Sequence, residues 1–398
     1  MRTNAAHFLR STAVIGLLTA VTGVFAQDNP PARAKWLPTG AIQNFTDVMQ
    51  RIHDDAVTPP DDDALMIAAT RALLAHVDPE GGEYYTKAEY EDFKTGRHVA
   101  SVGVELRMRQ GQFVLFALDG GPAASAGVRN GDVLRTINGM PVAGLDSHTA
   151  FIRLRGDDGS KVVLGIARPD SSTLINVELV RQAIPFPPVT VSRIDSDLAV
   201  LRVPPFQVRT LKEIADALNE EWSRRPFKGL VIDLRHNIGG LLESSIGLAA
   251  MFLKPDDLVA RMSGRIREAN QEFHAVPADY NRRNTGPDPV ASLPTALRAL
   301  PLVVLVDEST ASGAEIVAAA LRDHQRAILV GHITYGRGSI QTLMPLPSGA
   351  AMKLTTAYYV TPSGQQLQGR GLQPEVPVAS DDEAVALQAA LAALRKQI

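Results

Sequence analysis

From Pro185 onward, apolar and polar positions alternate between two rhythms. Largely apolar runs at Leu198 to Val203, Gly229 to Leu234, Leu302 to Val306, Ala327 to Val330 and Leu354 to Val360 predict strands, that at Gly229 to Leu234 a buried one. Between them, Leu211 to Trp222, Leu241 to Leu253 and Ile316 to Leu321 repeat apolar residues at helical spacing. Such alternation predicts an α/β core in which helices cover a sheet. Pro255 to Ala296 is polar and Pro-rich and reads as a long excursion over the surface. Glu383 to Leu394 reads as a helix appended at the C-terminus.

The first half of the chain has a different texture. Val99 to Gln182 consists of short alternating runs punctuated by glycine, which predicts a small β module. Ahead of it, Ile42, Phe45, Val48, Met49 and Ile52 mark a helix over Ala41 to Ala56. Asp61, Asp62 and Asp63 supply an acidic start to a second helix over Ala64 to Ala75, which Val77 to Gly82 breaks. Arg2 and Arg10 precede or open a mostly apolar stretch, Ser11 to Ala26, with small residues Val24 and Ala26 placed for cleavage. This pattern predicts an export leader. Its apolar run falls short of the roughly 20 residues that span a bilayer, although retention as an anchor stays open. The expected organisation is multidomain α/β: leader 1–26, linker and helical region 27–98, β module 99–183, α/β core 184–380 and C-terminal helix 381–398.

Composition narrows the chemistry. With 45% hydrophobic and 21% charged residues, the 398-residue chain is of ordinary globular make-up and long for one domain. The net charge of −3 becomes −5 once Arg2 and Arg10 leave with the leader, and no basic run occurs, so nucleic acid is not an expected partner. The absence of cysteine excludes disulfides, thiolate metal sites, cysteine nucleophiles and a lipid anchor on cysteine. The nine histidines form no metal-ligand spacing, so neither metal nor cofactor is expected.

Candidate chemistry centres on Thr310-Ala311-Ser312-Gly313-Ala314-Glu315, set between a buried strand and a helix. A serine there presents its hydroxyl where helix N–H groups could receive an oxyanion. The same spacing is also a plain capping box, Ser312 with Glu315. Three distant segments add weight to the first alternative. Asp233-Leu234-Arg235-His236-Asn237-Ile238-Gly239-Gly240 puts a glycine pair after a strand, Gly336-Arg337-Gly338-Ser339-Ile340-Gln341 follows another, and Lys353 to Gly364 completes the set. In the β module, Ser101-Val102-Gly103-Val104 precedes Gly120 to Val128 and Asn130 to Gly139.

From Leu73 to Val378 these motifs, in order, resemble the C-terminal processing (tail-specific) peptidases, serine/lysine-dyad proteases with a PDZ domain. The resemblance implies a PDZ-type module in which Val102, Gly103 and Val104 take a peptide C-terminus beside a strand edge. Packing alone is the other use of such a module. It further implies that Ser312 is the nucleophile, that Gly239 or Gly240 with Gly313 forms the oxyanion hole, and that Gln341 orients the base. The family's lysine, however, falls on Arg337, 25 positions after Ser312. A guanidinium keeps its proton at working pH and cannot act as a general base.

Three readings follow: a weakened exported endopeptidase, a noncatalytic binder of protein or peptide C-termini, or a peptidase rescued by His332, which otherwise reads as a surface loop histidine. Lys353 is a weaker substitute, and Asp323 lies about 16 Å from Ser312 along a regular helix, too far for a catalytic bond. The location expected is periplasmic or otherwise extracytoplasmic. Membrane contact is expected only through an uncleaved leader, and self-association is left open.

Overall fold

A computed structural model describes residues 38–398 except 59–60, 80, 96–99, 110, 119, 146–149, 151–152, 169–172, 183–186, 283–285 and 381. The expected leader and most of the linker lie outside the described residues. Helices Thr39–Asp55 and Asp62–Val77 stand where the apolar spacing predicts them, the second capped by Asp61, whose side chain accepts from Asp63 and Ala64 N–H. Among the described residues no helix is long and apolar enough to cross a membrane.

After these helices, β1 (Glu83–Tyr85) pairs antiparallel with a strand near the far end of the chain. The chain then builds a separate β module. Strands β2 (Val104–Arg109), β3 (Gln112–Ala117), β4 (Val133–Ile137), β5 (Met140–Pro141), β6 (Lys161–Ala167) and β7 (Ile175–Val180) form one sheet in the order β2-β3-β4-β6-β7, with β5 on β4. Its core is its own, built on Val102, Leu115, Leu134, Leu164 and Ile166. β2 lies at an edge of that sheet, which leaves one side of its backbone for another strand.

The α/β core follows with β8 (Thr190–Arg193), β9 (Leu198–Arg202), β10 (Gly229–Asp233), β11 (Leu258–Gly264), β12 (Gln271–His274), β13 (Leu302–Val306), β14 (Ala327–Gly331), β15 (Ser339–Pro345), β16 (Ala351–Val360) and β17 (Val376–Pro377). The sheet β17-β14-β13-β10-β9-β8 is parallel except for β8. Its continuous apolar strands are those of a sheet covered on both faces. Leu230, Ile232, Leu302 and Val304 face helices Thr210–Arg224, Leu242–Ala250 and Gly313–Asp323. Val231, Val303, Leu305 and Val330 face Leu391 and Leu394 of helix Glu383–Arg395. That helix is therefore a layer of the core rather than an appendage.

A second sheet, β1-β16-β11-β12 with β15 on β16, is antiparallel. It corrects the reading of 255–296 as a surface excursion. Residues 258–264 and 271–274 are a strand hairpin, and Phe273, Tyr280, Val290 and Leu293 are buried with the core. The segment looks polar because alternate strand positions face solvent and because its turns are rich in proline.

Candidate active site

Ser312 is positioned by the way β13 ends. Asp307 closes the strand, its Oδ1 accepting from Ser309 N–H at 3.0 Å and Thr310 N–H at 2.8 Å. Thr310 Oγ1 donates to the carbonyl of Leu234 at 3.0 Å, joining the ends of β13 and β10. The backbone then turns sharply through Ser312 at φ 54°, ψ −117° and enters the buried helix Gly313–Asp323. A side-chain-bearing residue in this region costs about 1–3 kcal/mol, and a strand–nucleophile–helix turn is where such strain recurs. Ser312 is also the cap of a capping box, and its N–H donates to Glu315 Oε2 at 2.9 Å. The capping alternative raised by the sequence is thus present, at a turn whose backbone is strained.

The glycine pair comes to meet it. Gly239 has φ +95°, and a Cβ there would stand 2.7 Å from Ser312 Cβ, so only glycine permits the approach. Gly240, at φ +131°, lies against the backbone of Phe206, whose oxygen would be 2.2 Å from an added Cβ. Gly239 N–H is already spent on Asn237 Oδ1 at 2.9 Å, which removes Gly239 from the pair of candidate oxyanion donors. The N–H groups of Gly240 and Gly313 have no acceptor among the described residues. Gly313 follows Ser312 at the positive end of a helix, and Gly240 follows Gly239, which meets the Ser312 turn.

The lysine position is adjacent in backbone but not in side chain. Arg337 N–H donates to Glu315 Oε2 at 2.8 Å, the oxygen that also receives Ser312 N–H. The guanidinium instead ion-pairs with Glu105 on β2 of the β module, and stacks 5.3 Å from the ring centroid of Tyr335. Burial works against its charge, but Glu105, Tyr335 and Glu315 outweigh it and hold the group above its ordinary pKa. Gln341 does not orient it. Its Nε2 donates to Ser339 Oγ at 2.9 Å and more weakly to Thr355 Oγ1 at 3.4 Å, because Arg337 lies before β15 begins and does not share the strand's alternation.

The other candidate bases are engaged elsewhere. His332 Nε2 lies 3.1 Å from the carbonyl of Ser380, so the ring faces the C-terminal segment. Lys353 Nζ pairs with Glu83 at 2.7 Å. Asp323 is structural, as its place along the helix demands, with its side chain largely shielded. It accepts from Ser363 N–H at 2.9 Å and pairs with Arg322.

In the β module, Val102, Gly103 and Val104 are buried at the start of β2, with Gly103 at φ +75°. Gly103 N–H donates to Ser101 Oγ at 3.2 Å. The serine at the first loop position therefore occupies an amide that a free loop would offer to a carboxylate. Between module and core runs a cleft of about 710 Å³, open to solvent, walled by Phe116 and Leu118 on one side and Val203, Pro204, Ile238 and Ser309 on the other. Glu105 and His236 also line it. Sequence reasoning missed Glu105, Asn237 and Thr334. Asn237 sits inside the glycine-pair motif and was readable from it, whereas Glu105 meets a residue 232 positions away and left no local signal.

Comparison with known proteins gives relatives for both the β module and the α/β core. A family model described as peptidase family S41 matches residues 197–378, and one described as a PDZ domain matches 117–168. The chain is 32% identical over 371 residues to the carboxy-terminal-processing protease of Bartonella bacilliformis, covering 90% of this chain and 81% of that one. It is 27% identical over 338 residues to the carboxy-terminal processing protease CtpA of Bacillus subtilis, covering 84% and 68%. Among solved structures, the photosystem II D1 C-terminal processing protease superposes with a TM-score of 0.69 at 26% identity, over 88% of this chain and 90% of that one.

Proposed function

We propose, for a chain that belongs to the C-terminal processing serine proteases of peptidase family S41, that it is an exported serine-type endopeptidase of much reduced turnover. The PDZ module captures protein or peptide C-termini, and the cleft beside it leads the chain to Ser312. The observation that carries this reading is the Ser312 turn, held in a left-handed conformation against Gly239, with the unengaged amides of Gly313 and Gly240 next in sequence to those two residues.

In the acylation step Ser312 Oγ bonds to the scissile carbonyl carbon, and the oxyanion is received by Gly240 and Gly313 N–H. The hydroxyl proton must leave at the same time, and the amine leaving group must later gain one. Arg337, charged and paired with Glu105, does neither, so solvent water in the open cleft takes the first proton and supplies the second. What remains is oxyanion stabilisation and positioning, with general base catalysis, commonly about 10²–10⁴-fold, withdrawn.

A peptide cleavage assay tests this reading directly. Arg337→Lys is expected to raise kcat/KM by about 10²–10⁴-fold, and Ser312→Ala is expected to abolish the residual rate. Wild-type turnover that survives Ser312→Ala removes the nucleophile assignment. Capture of apolar C-terminal peptides with no cleavage, even by Arg337→Lys, leaves a peptide-binding protein. Export is checked by sequencing the mature N-terminus after cell fractionation, with Gln27 expected first.

A further inference from the structure

Glu315 has 0% of its surface exposed, yet it is not paired with any side-chain cation by hydrogen bond. Four donors from two separate stretches of chain, the Ser312 turn and residues 334–337, converge on its two oxygens. Oε2 receives Ser312 N–H at 2.9 Å and Arg337 N–H at 2.8 Å. Oε1 receives Gly336 N–H at 2.8 Å and the hydroxyl of Thr334. Thr334 Oγ1 itself accepts from Leu372 N–H at 2.7 Å, so its own proton points to the carboxylate. The result is larger than a helix cap requires, because a cap needs only the N–H of Ser312.

We propose that Glu315 is a positioning residue of the catalytic site: its carboxylate locks the loop carrying position 337 to the turn carrying Ser312, through backbone amides and independently of which side chain stands at 337. Ser312 N and Arg337 N share one oxygen, so their separation cannot exceed the sum of two hydrogen bonds. The spacing between nucleophile and base position is thereby set by an anion, not by the base. The same anion has an electrical consequence. Burial pushes the Glu315 carboxyl above the ordinary glutamate range against the pull of its four donors, and in its ionised form it joins Glu105 in facing position 337 with negative charge, which favours a protonated group there. A guanidinium suits that environment, whereas an amine acting as a base would have to lose its proton against it.

This inference rests on the reading of Ser312 and position 337 as nucleophile and base, and the test separates the two. In full-length Arg337→Lys, kcat/KM is measured against pH with and without Glu315→Gln. The amide keeps the shape but presents one acceptor oxygen in place of two, so the plateau is expected to fall about tenfold or more. Removal of the anion lowers the pKa of the introduced amine, so the acid limb is expected to move to lower pH by about one unit. Affinity for a C-terminal peptide stays unchanged. A lower plateau with an unmoved acid limb overturns the electrostatic part of the proposal, and an unchanged plateau overturns the positioning part.

If Arg337→Lys does not cleave, the functional reading has failed but Glu315 is still judged by amide exchange in the wild type. Gly336 and Arg337 N–H are expected to exchange at least about tenfold faster in Glu315→Gln. Should Glu315→Gln fail to fold, Thr334→Val, which removes one donor to Oε1, is expected to speed the same amides in the same direction. Unaltered exchange in the folded variant overturns the lock.

Discussion

At Ser312 the backbone spends stability so that a hydroxyl can stand at the tip of a helix. Glycine adopts φ 54° without a Cβ penalty, so Ser312→Gly is expected to gain about 1 kcal/mol of stability while losing the proposed nucleophile, read as a higher denaturant midpoint with unchanged slope. A loss of stability would mean that the capping role outweighs the strain. Ser312, Gly240 and Gly313 were legible because motif spacing reports where a strand hands over to a helix. Gly239 was legible as a neighbour but not as a spent donor, since that depends on Asn237 bending back onto it. The direction taken by Arg337 was not legible at all. Spacing gives the position of a backbone, and a long side chain goes where its counter-charge lies.

Strands of the parallel sheet with strong apolar runs were readable to within a residue, because a strand buried on both faces leaves a continuous signature. The elements that were misjudged are those whose partner is remote. β1 has three residues and is a strand only because β16 accepts it. The hairpin β11–β12 hides among prolines, and the C-terminal helix announces its apolar face but not what that face covers.

That last helix is also pinned electrostatically at its start. Glu383 Oε1 lies 2.8 Å from His236 Nε2, and Arg235, which pairs with Asp233, donates to the Glu383 carbonyl at 2.9 Å. Burial alone would raise the Glu383 carboxyl, but His236, Arg235 and Arg202 hold it below the ordinary glutamate value. A depressed folded-state pKa stabilises above the unfolded value and is lost as pH falls through the folded one. Thermal stability is therefore expected to drop on acidification below the usual glutamate range, and to drop less in Glu383→Gln. Parallel melting curves for the two proteins would discount the tether.

On the scale of the whole molecule, two bodies with separate cores meet at a cleft and are joined across it by Glu105 and Arg337. The existence of both bodies was readable from the change in texture near Val99 and Pro185. Their contact was not, because nothing in a one-dimensional pattern pairs residues 232 positions apart. Glu105 is 8% exposed and Arg337 28%, so the pair is only partly shielded from salt. Affinity for a C-terminal peptide in the wild type is expected to vary with ionic strength as the pair loosens. Glu105→Gln is expected to flatten that dependence, read by titration calorimetry at low and high salt. Equal salt responses in both proteins would show that the pair does not couple the bodies.

The pairing of β1 with β16 carries a mechanical consequence. Chain on the N-terminal side of the PDZ module is already woven into the second sheet, and chain on its C-terminal side continues into β8. The module is thus an insertion held at two moorings, not a bead on a single string, and its travel is restricted to an arc about them. A protease that nicked one connection would leave both fragments in a single particle, clasped by a three-residue strand.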